Sequence, residues 1–585
     1  MRRTLLRARL RLEHLLRPSD IHVMMLWAAL TGLCGALATI VFRDGLAATQ
    51  WLLVGHSESL VEMATTLPWQ MRVLIPTVGG IVAGFVLVAA QRIAAPGPTD
   101  YMEAIAEGDG RLSLRTTLLR SLSSLCTIAS GGSIGREGSM VQLAAMCASI
   151  IGRTFNFDVR RLRLLVACGA AAGITAAYNA PIAGAFFVTE IILGSFAMES
   201  FGPVVVAAVV ANITMRRYPG YHPTYEMPVF PDISNFEVVL FVALGAVAGF
   251  AAPQFLRLLA LVKNQFQRSR LPMPVRLGIS GLAVGIISIW VPQVWGNGYS
   301  VVNSMLHENW VWTAIAIVMV FKLIATMLTV GSGAIGGIFT PTLFMGAAVG
   351  SLFGQAMQAL WPHAVSAPFT YAMVGMGAFL AAATRAPLMA IMMIFEMTLS
   401  YPVMLPLLLS CIVAYFIARN SNGASMYEVT VQRHVDELAR LRLRQTRMRD
   451  LIKPAETVLP SDASFEDMIA VFLRFPVKYV YIVDDANCLL GVVSTQVLAA
   501  IMSSPHANKG KCAGDLMRQD LLQVITPEMT LDDGWQCFMA HQGERLPAVQ
   551  SREHPVLLGA VYKSSLLDAY FKLGNAKSEL GTTNN

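Results

Sequence analysis

The stretch "SGGSIGREGSM", Ser130 to Met140, decides how the rest of the chain is read. It lies in a long apolar region, with Thr127, Ile128 and Ala129 before it and Val141 to Ile151 after it. An adjacent Arg136 and Glu137, fenced by glycines, stand where charge is expensive to bury. A glycine-rich loop followed by an apolar run is what a helix N-terminus looks like when its backbone must approach something closely. The first N–H groups of a helix have no internal partner, and the aligned peptide dipoles leave roughly half a positive charge there.

Composition identifies the solvent. Of 585 residues, 55% are hydrophobic and only 14% charged, with mean hydropathy +0.55; a soluble protein carries roughly 25% charged residues. Apolar segments recur from about residue 21 to residue 419, among them "VLIPTVGGIVAGFVLVAA" and "VWTAIAIVMVFKLIATMLTV". About 20 such residues cross a bilayer as helix, so the chain is a polytopic membrane protein in contact with lipid. The net charge of +7 is read as topology and not as nucleic-acid binding. Arginines crowd the N-terminus, from Arg2 to Arg17, and return after the last apolar segment, from Arg433 to Arg449. Positive flanks stay cytoplasmic, which puts both termini inside an inner membrane. The opening "RRTLLRARLRLEHLL" has no continuous apolar core or cleavage site and reads as a surface helix over residues 1–20. The eight cysteines form no CxxC pair, so neither a disulfide framework nor a metal site is implied, and no cofactor is expected.

Internal repeats give the organisation. "YNAPIAGAFFVTE", Tyr178 to Glu190, matches "TRAPLMAIMMIFE", Thr384 to Glu396, each with a Glu nine residues after an Ala-Pro. "SGGSIGREGS" from Ser130 aligns with "SGAIGGIFTP" from Ser332, pairing Gly135 with Gly337. The membrane part, residues 21–430, is therefore two related halves of helices broken by Gly and Pro. Transporters built this way place their site between the halves, at the ends of discontinuous helices. A basic stretch over 431–449 is expected to be a linker helix. The tail then repeats, over 450–506 and 512–575. "LLGVVS" at Leu489 returns as "LLGAVY" at Leu557, and "SFED" and "TLDD" each carry a helix-start signature. Two strand–strand–helix units follow from this.

Helix tips at Gly135 to Ser139 and at Gly336 to Pro341 would together make an anion site of backbone amides. The absence of a fixed cation suits conduction, which needs binding that is favourable yet weak. The Glu137 carboxylate can occupy the same amide-lined place as a permeating anion, and protonation removes it. That makes Glu137 a gate, a proton carrier, or both. Glu190 and Glu396 read as carboxylates bonded to loop or helix-end amides.

At these residues the chain resembles the CLC family of chloride channels and proton–chloride antiporters. The family's "GREGP" stands here as "GREGS", its "GGIFAP" as "GGIFTP" and its "FNAPLAG" as "YNAPIAG"; its tyrosine near the end of the membrane domain is matched by Tyr427. The resemblance implies an all-α membrane domain with an inverted repeat of broken helices, and a homodimer with one anion pathway in each subunit. It also implies gating by Glu137, anion coordination at Gly138 and by Ile338, Phe339 and Thr340, and a hydroxyl ligand from Tyr427. Arg136 either draws anions toward the site or orients the loop. The family's "GSGIPE", which supplies a serine ligand, is matched by "APGPTDYMEA", putting Pro96 and Gly97 at the inner anion site. Plant nitrate-selective members also carry proline there, which brings nitrate in beside chloride. Well-studied antiporters have a second acid directly after the position of Glu190; here it is Ile191, which relays no proton. The reading is a voltage- or proton-gated chloride channel, with proton-coupled chloride or nitrate antiport as the alternative.

The tail resembles an α/β pair of CBS domains. The places of the acid that holds an adenine nucleotide's ribose in such pairs are taken by Val497 and Ser565, which speaks against a nucleotide. A dimer-stabilising cytoplasmic module is the expected role. A cation channel would need carboxylate rings or carbonyl filters, and an enzyme would need a nucleophile and base or metal ligands; no HExxH or GxSxG occurs, and no catalytic residue is assigned.

Overall fold

The computed structural model describes residues 21–55, 59–93, 98–106, 108–218, 225, 228, 229, 231, 233–421, 425–427, 447–502, 511–519, 523–539, 541 and 543–569. The expected surface helix over 1–20, Pro96, Gly97 and all but the last three residues of the expected linker helix lie outside them. The chain forms two compact units, Met1–Val431 and Gln432–Asn585.

The first half of the membrane unit runs through α1 Ile21–Val54, α2 Leu60–Thr66, α3 Trp69–Ile93, α4 Tyr101–Ala106, α5 Leu114–Ala129, α6 Glu137–Thr154, α7 Val159–Tyr178, α8 Pro181–Phe186 and α9 Met198–Arg216. The second runs through α10 Asn235–Arg268, α11 Met273–Trp290, α12 Tyr299–His307, α13 Trp312–Gly331, α14 Phe339–Leu360, α15 Pro368–Thr384, α16 Pro387–Thr398 and α17 Met404–Arg419. Among the described residues nine helices are long and apolar enough to cross a bilayer. Packing repeats with the sequence: α6 lies on α7 as α14 lies on α15, and α1 on α9 as α10 on α17. Close approach on the first pair depends on Gly173, where a Cβ would come within 2.6 Å of the Val141 backbone. On the second it depends on Gly350, where one would reach 2.1 Å from the Tyr371 carbonyl. Small residues let helix backbones meet in lipid, where packing replaces the hydrophobic drive.

The two halves break their helices by the same local chemistry. α7 ends on Asn179 at φ 59° and α15 on Arg385 at φ 58°, both left-handed. Ala180 and Ala386 follow at φ −126°, ψ near 80°, because a residue before proline is pushed out of the helical region. Pro181 and Pro387 then start the next helices at the position where a missing N–H does no harm. The remaining amides of those starts are satisfied reciprocally. Glu396 accepts from the Ile182 and Ala183 N–H groups at 2.9 and 2.8 Å. Glu190 accepts from Leu388 and Met389 at 3.1 and 2.7 Å. Each half thus caps the broken helix of the other, as a buried carboxylate that must find donors requires. One asymmetry remains: after α8 the chain winds as a π-helix over Phe187–Leu193, carrying Glu190 and Ile191, whereas α16 stays α-helical.

The second unit carries two repeats built of strands and helices. β1 Val458–Pro460 pairs parallel with β2 Tyr479–Val483, which pairs antiparallel with β3 Leu489–Ser494; α18 Phe465–Arg474 precedes β2, and α19 Thr495–Met502 follows β3. After α20 Ala513–Leu516, the second repeat has α21 Leu531–Met539, then β4 Arg545–Val549 paired antiparallel with β5 Leu557–Tyr562. The repeated "LLGVVS" and "LLGAVY" are β3 and β5. Where the linker helix is described, Arg447 bridges Thr530 and Met448–Leu451 form a 3₁₀ turn. Met448 enters the core of the second repeat with Ile525, Leu531 and Phe538. The helix-start signatures are capping boxes: the Asp467 and Asp533 N–H groups donate to the Ser464 and Thr530 hydroxyls, both at 3.2 Å. The carboxylates accept in return from the cap backbone.

Two expectations follow. Glu396→Ala strands two amides at the start of α8, and loses about 1–3 kcal/mol; thermal unfolding of the full chain in detergent reads this as a lower midpoint than wild type. Hydrogen bonds from Ser464 and Thr530 hold the Asp467 and Asp533 carboxyls below the ordinary range. A depressed folded value means that the caps contribute above the unfolded value of about 3.9. The contribution falls away as pH drops through the folded value. Hydrogen exchange should therefore show the first turns of α18 and α21 losing protection below about pH 4.

Candidate functional site

Ser130 ends α5 and Ser332 ends α13. The next residues, Gly131 at φ +94° and Gly333 at φ +99°, take left-handed conformations that turn the chain back. At Gly131 a Cβ would also run into the Trp295 ring, at 2.5 Å. The two turns then meet. Gly135 and Gly337 exchange N–H···O bonds of 2.8 Å in each direction, as an antiparallel bridge. Two residues further on, α6 begins at Glu137 and α14 at Phe339. The helix tips read from the repeats thus abut, and the chain passes between them in opposite directions, as an inverted repeat demands.

Glu137 closes the gap. Its side chain is buried, and Oε1 accepts the Thr340 N–H at 2.8 Å across the repeat boundary. Oε2 is buried without a hydrogen-bond partner in the protein. No salt bridge joins Arg136 to Glu137 among the described residues; the Arg136 guanidinium lies over the Tyr299 ring, 5.3 Å from its centroid. A cavity of about 410 Å³ opens beside the carboxylate, and Gly138, Ile338, Phe339 and Tyr427 stand on its wall with Glu137. Tyr427 also packs edge-on against Phe187, with ring centroids 5.7 Å apart. Thr340 offers its amide to Glu137 and turns its hydroxyl elsewhere, to Tyr299 at 3.0 Å and Tyr178 at 2.9 Å. Pro96 and Gly97 fall outside the described residues, but their neighbours Asp100 and Tyr101 reach the same wall. Ile191 is fully buried.

The sequence reading placed the site on amides and overlooked part of the wall. Arg120 from α5 and Lys263 from α10 line the cavity, and so does Asp100, which accepts the Met102 N–H at 2.8 Å at the start of α4. Gln142, one turn along α6, grips that start through Tyr101 N–H at 3.0 Å and Thr99 O at 3.3 Å. Lys322, buried in α13, donates to the carbonyls of Val294, Trp295 and Gly296 at 2.9, 3.4 and 2.6 Å. Of these only Asp100 sits in a motif word, "APGPTDYMEA", and it is tertiary contact that unites them. In the second unit a cleft of about 340 Å³ is lined by Thr457, Tyr479, Arg545 and Tyr562 among others, and neither Val497 nor Ser565 lines it.

Opposed positive helix ends around one cavity, closed by a carboxylate, define a membrane protein built to hold and release small anions. Comparison with known proteins narrows this. Residues 78–419 match the family of voltage gated chloride channels, and the chain belongs to that family. A ClcB-like chloride channel protein of Ralstonia nicotianae is 53% identical over 423 residues, 72% of this chain and 99% of its own length. The crystal structure of a slow cyanobacterial Cl⁻/H⁺ antiporter, 25% identical, covers 70% of this chain and 97% of its own with a TM-score of 0.62. A eukaryotic CLC transporter, 19% identical, shares the fold over 95% of this chain and 98% of its own, at a TM-score of 0.60. Chloride transport follows from the family.

Glycine at 337 leaves room for the Glu137 carboxylate: a Cβ there would stand 2.7 Å from Oε1. The flexible carboxylate yields before the backbone does. Gly337→Ala should therefore raise chloride efflux from proteoliposomes at neutral pH by about tenfold, the worth of one hydrogen bond to a charged group.

Proposed function

We propose that the chain is an anion channel passing chloride, gated at Glu137 by protonation or by voltage. The observation that carries this reading is the Glu137 carboxylate seated on the Thr340 amide, at the end of a cavity walled by Ile338, Phe339 and Tyr427. A carboxylate and an anion compete for the same unpaired amides, so adding a proton to one frees the place for the other. Binding by amide dipoles stays weak enough for the ion to leave. Ile191 supports passive conduction: the position that bears a second acid in well-studied antiporters is a fully buried isoleucine here. In this reading both termini are cytoplasmic, the membrane is a bacterial inner membrane, and two copies form a homodimer with one pathway each. The CBS-type tail serves as a dimer-stabilising module, with Val497 and Ser565 in the places of the nucleotide-holding acid.

A second reading is coupled exchange of chloride or nitrate for protons. Two observations favour it: the likeness to the cyanobacterial Cl⁻/H⁺ antiporter, and the Asp100 carboxylate on the cavity wall. Reversal potential across a planar bilayer, under opposed anion and pH gradients, separates the two. A channel gives a potential that follows the anion gradient alone, and an exchanger gives one that shifts with pH. Glu137→Gln should make anion flux independent of pH and leave no coupled proton movement. A variant that keeps the wild-type pH profile would remove Glu137 from the gate, and cation flux in liposomes would end the anion reading.

A further inference from the structure

Where the family's word ends in proline, as "GREGP", this chain has Ser139. Ser139 is the third residue of α6, 2% exposed, and it stands on the wall of the cavity with Glu137, Gly138, Ile338 and Tyr427. Its hydroxyl Oγ is buried and has no hydrogen-bond partner in the protein. A serine in a helix ordinarily turns its hydroxyl back to a carbonyl one turn earlier. Here the hydroxyl makes no such bond, and the carbonyl four residues before it, on Gly135, accepts the Gly337 N–H. A buried hydroxyl left unpaired is unfavourable by about 1–3 kcal/mol, so its persistence in a cavity wall points to something inside the cavity that accepts its proton.

The position of Ser139 gives the acceptor a place. Gln142 lies three residues on, hence on the same face of α6, and Gln142 holds Thr99 and Tyr101 at the start of α4. In the sequence, the word matched to the family's "GSGIPE" runs into this start, with Pro96 where the family has a serine.

We infer that Ser139 is an anion ligand of this chain, donating its hydroxyl to the ion held between the helix tips. The inference rests on the anion reading of the cavity. A hydroxyl suits such a place because it adds a directed donor without the fixed charge that would trap the ion.

The experiment compares chloride binding by calorimetry, on the full chain in detergent, in Glu137→Gln and in Glu137→Gln combined with Ser139→Ala or Ser139→Thr. Removing the hydroxyl should weaken chloride about threefold to tenfold, the usual worth of one hydrogen bond, and threonine should restore it. Thermal stability measured without chloride should stay level or rise in the alanine variant, since an unpaired buried hydroxyl leaves the core. Equal chloride affinity in the serine and alanine proteins overturns the inference, as does a loss of stability with unchanged affinity, which would make Ser139 a structural residue. If Glu137→Gln itself binds no chloride and passes none in proteoliposomes, the anion reading fails and the inference with it.

Discussion

At the centre of the membrane unit, two helix N-termini point at each other across the paired amides of Gly135 and Gly337. Each tip carries partial positive charge, and in a medium that excludes water neither is screened. Two such ends held together repel unless something negative lies between them. Glu137 supplies that charge from the protein itself. The carboxylate thus ties the two tips together through the Thr340 amide.

Helix ends at this depth are possible because the rest of the fold supports the breaks. In lipid every freed backbone group must be bonded within the protein. The reciprocal caps of Glu190 and Glu396 do this for the starts of α8 and α16. The left-handed turns at Asn179 and Arg385 do it for the ends of α7 and α15, each of which donates its N–H back into the helix. Because each cap comes from the opposite half, neither half completes its broken helices alone. The repeat is consequently a folding constraint as well as a symmetry.

Polar side chains around the site fall into two kinds. Some are tied to the frame: Lys322 to three carbonyls, and Thr340 to Tyr178 and Tyr299. These fix the tip of α14 and the loop before α12. Others, Ser121 Oγ, Ser139 Oγ and Glu137 Oε2, are buried without protein partners on residues that line the cavity.

The membrane character, the two-half repeat, the pairing of Gly135 with Gly337 and the singling out of Glu137 were all present in the order of residues, because each rests on local chemistry. Glycine permits a turn, proline starts a helix, and an ionisable group among apolar ones needs a reason to be there. The strand–strand–helix repeats of the tail were legible for the same cause, since a capping box spans only four residues. Other features depend on residues far apart in the chain. The reciprocal caps join positions about two hundred residues apart, the cavity wall gathers Asp100, Arg120 and Lys263 from three elements, and Met448 joins the core of the second repeat and not a linker helix. The π-helix at Phe187–Leu193 has no signature of its own, since its register is set by what it packs against. Local pattern determined which elements form and which charge is out of place; only tertiary packing decided what those groups touch, because a contact across two hundred residues leaves no spacing to read.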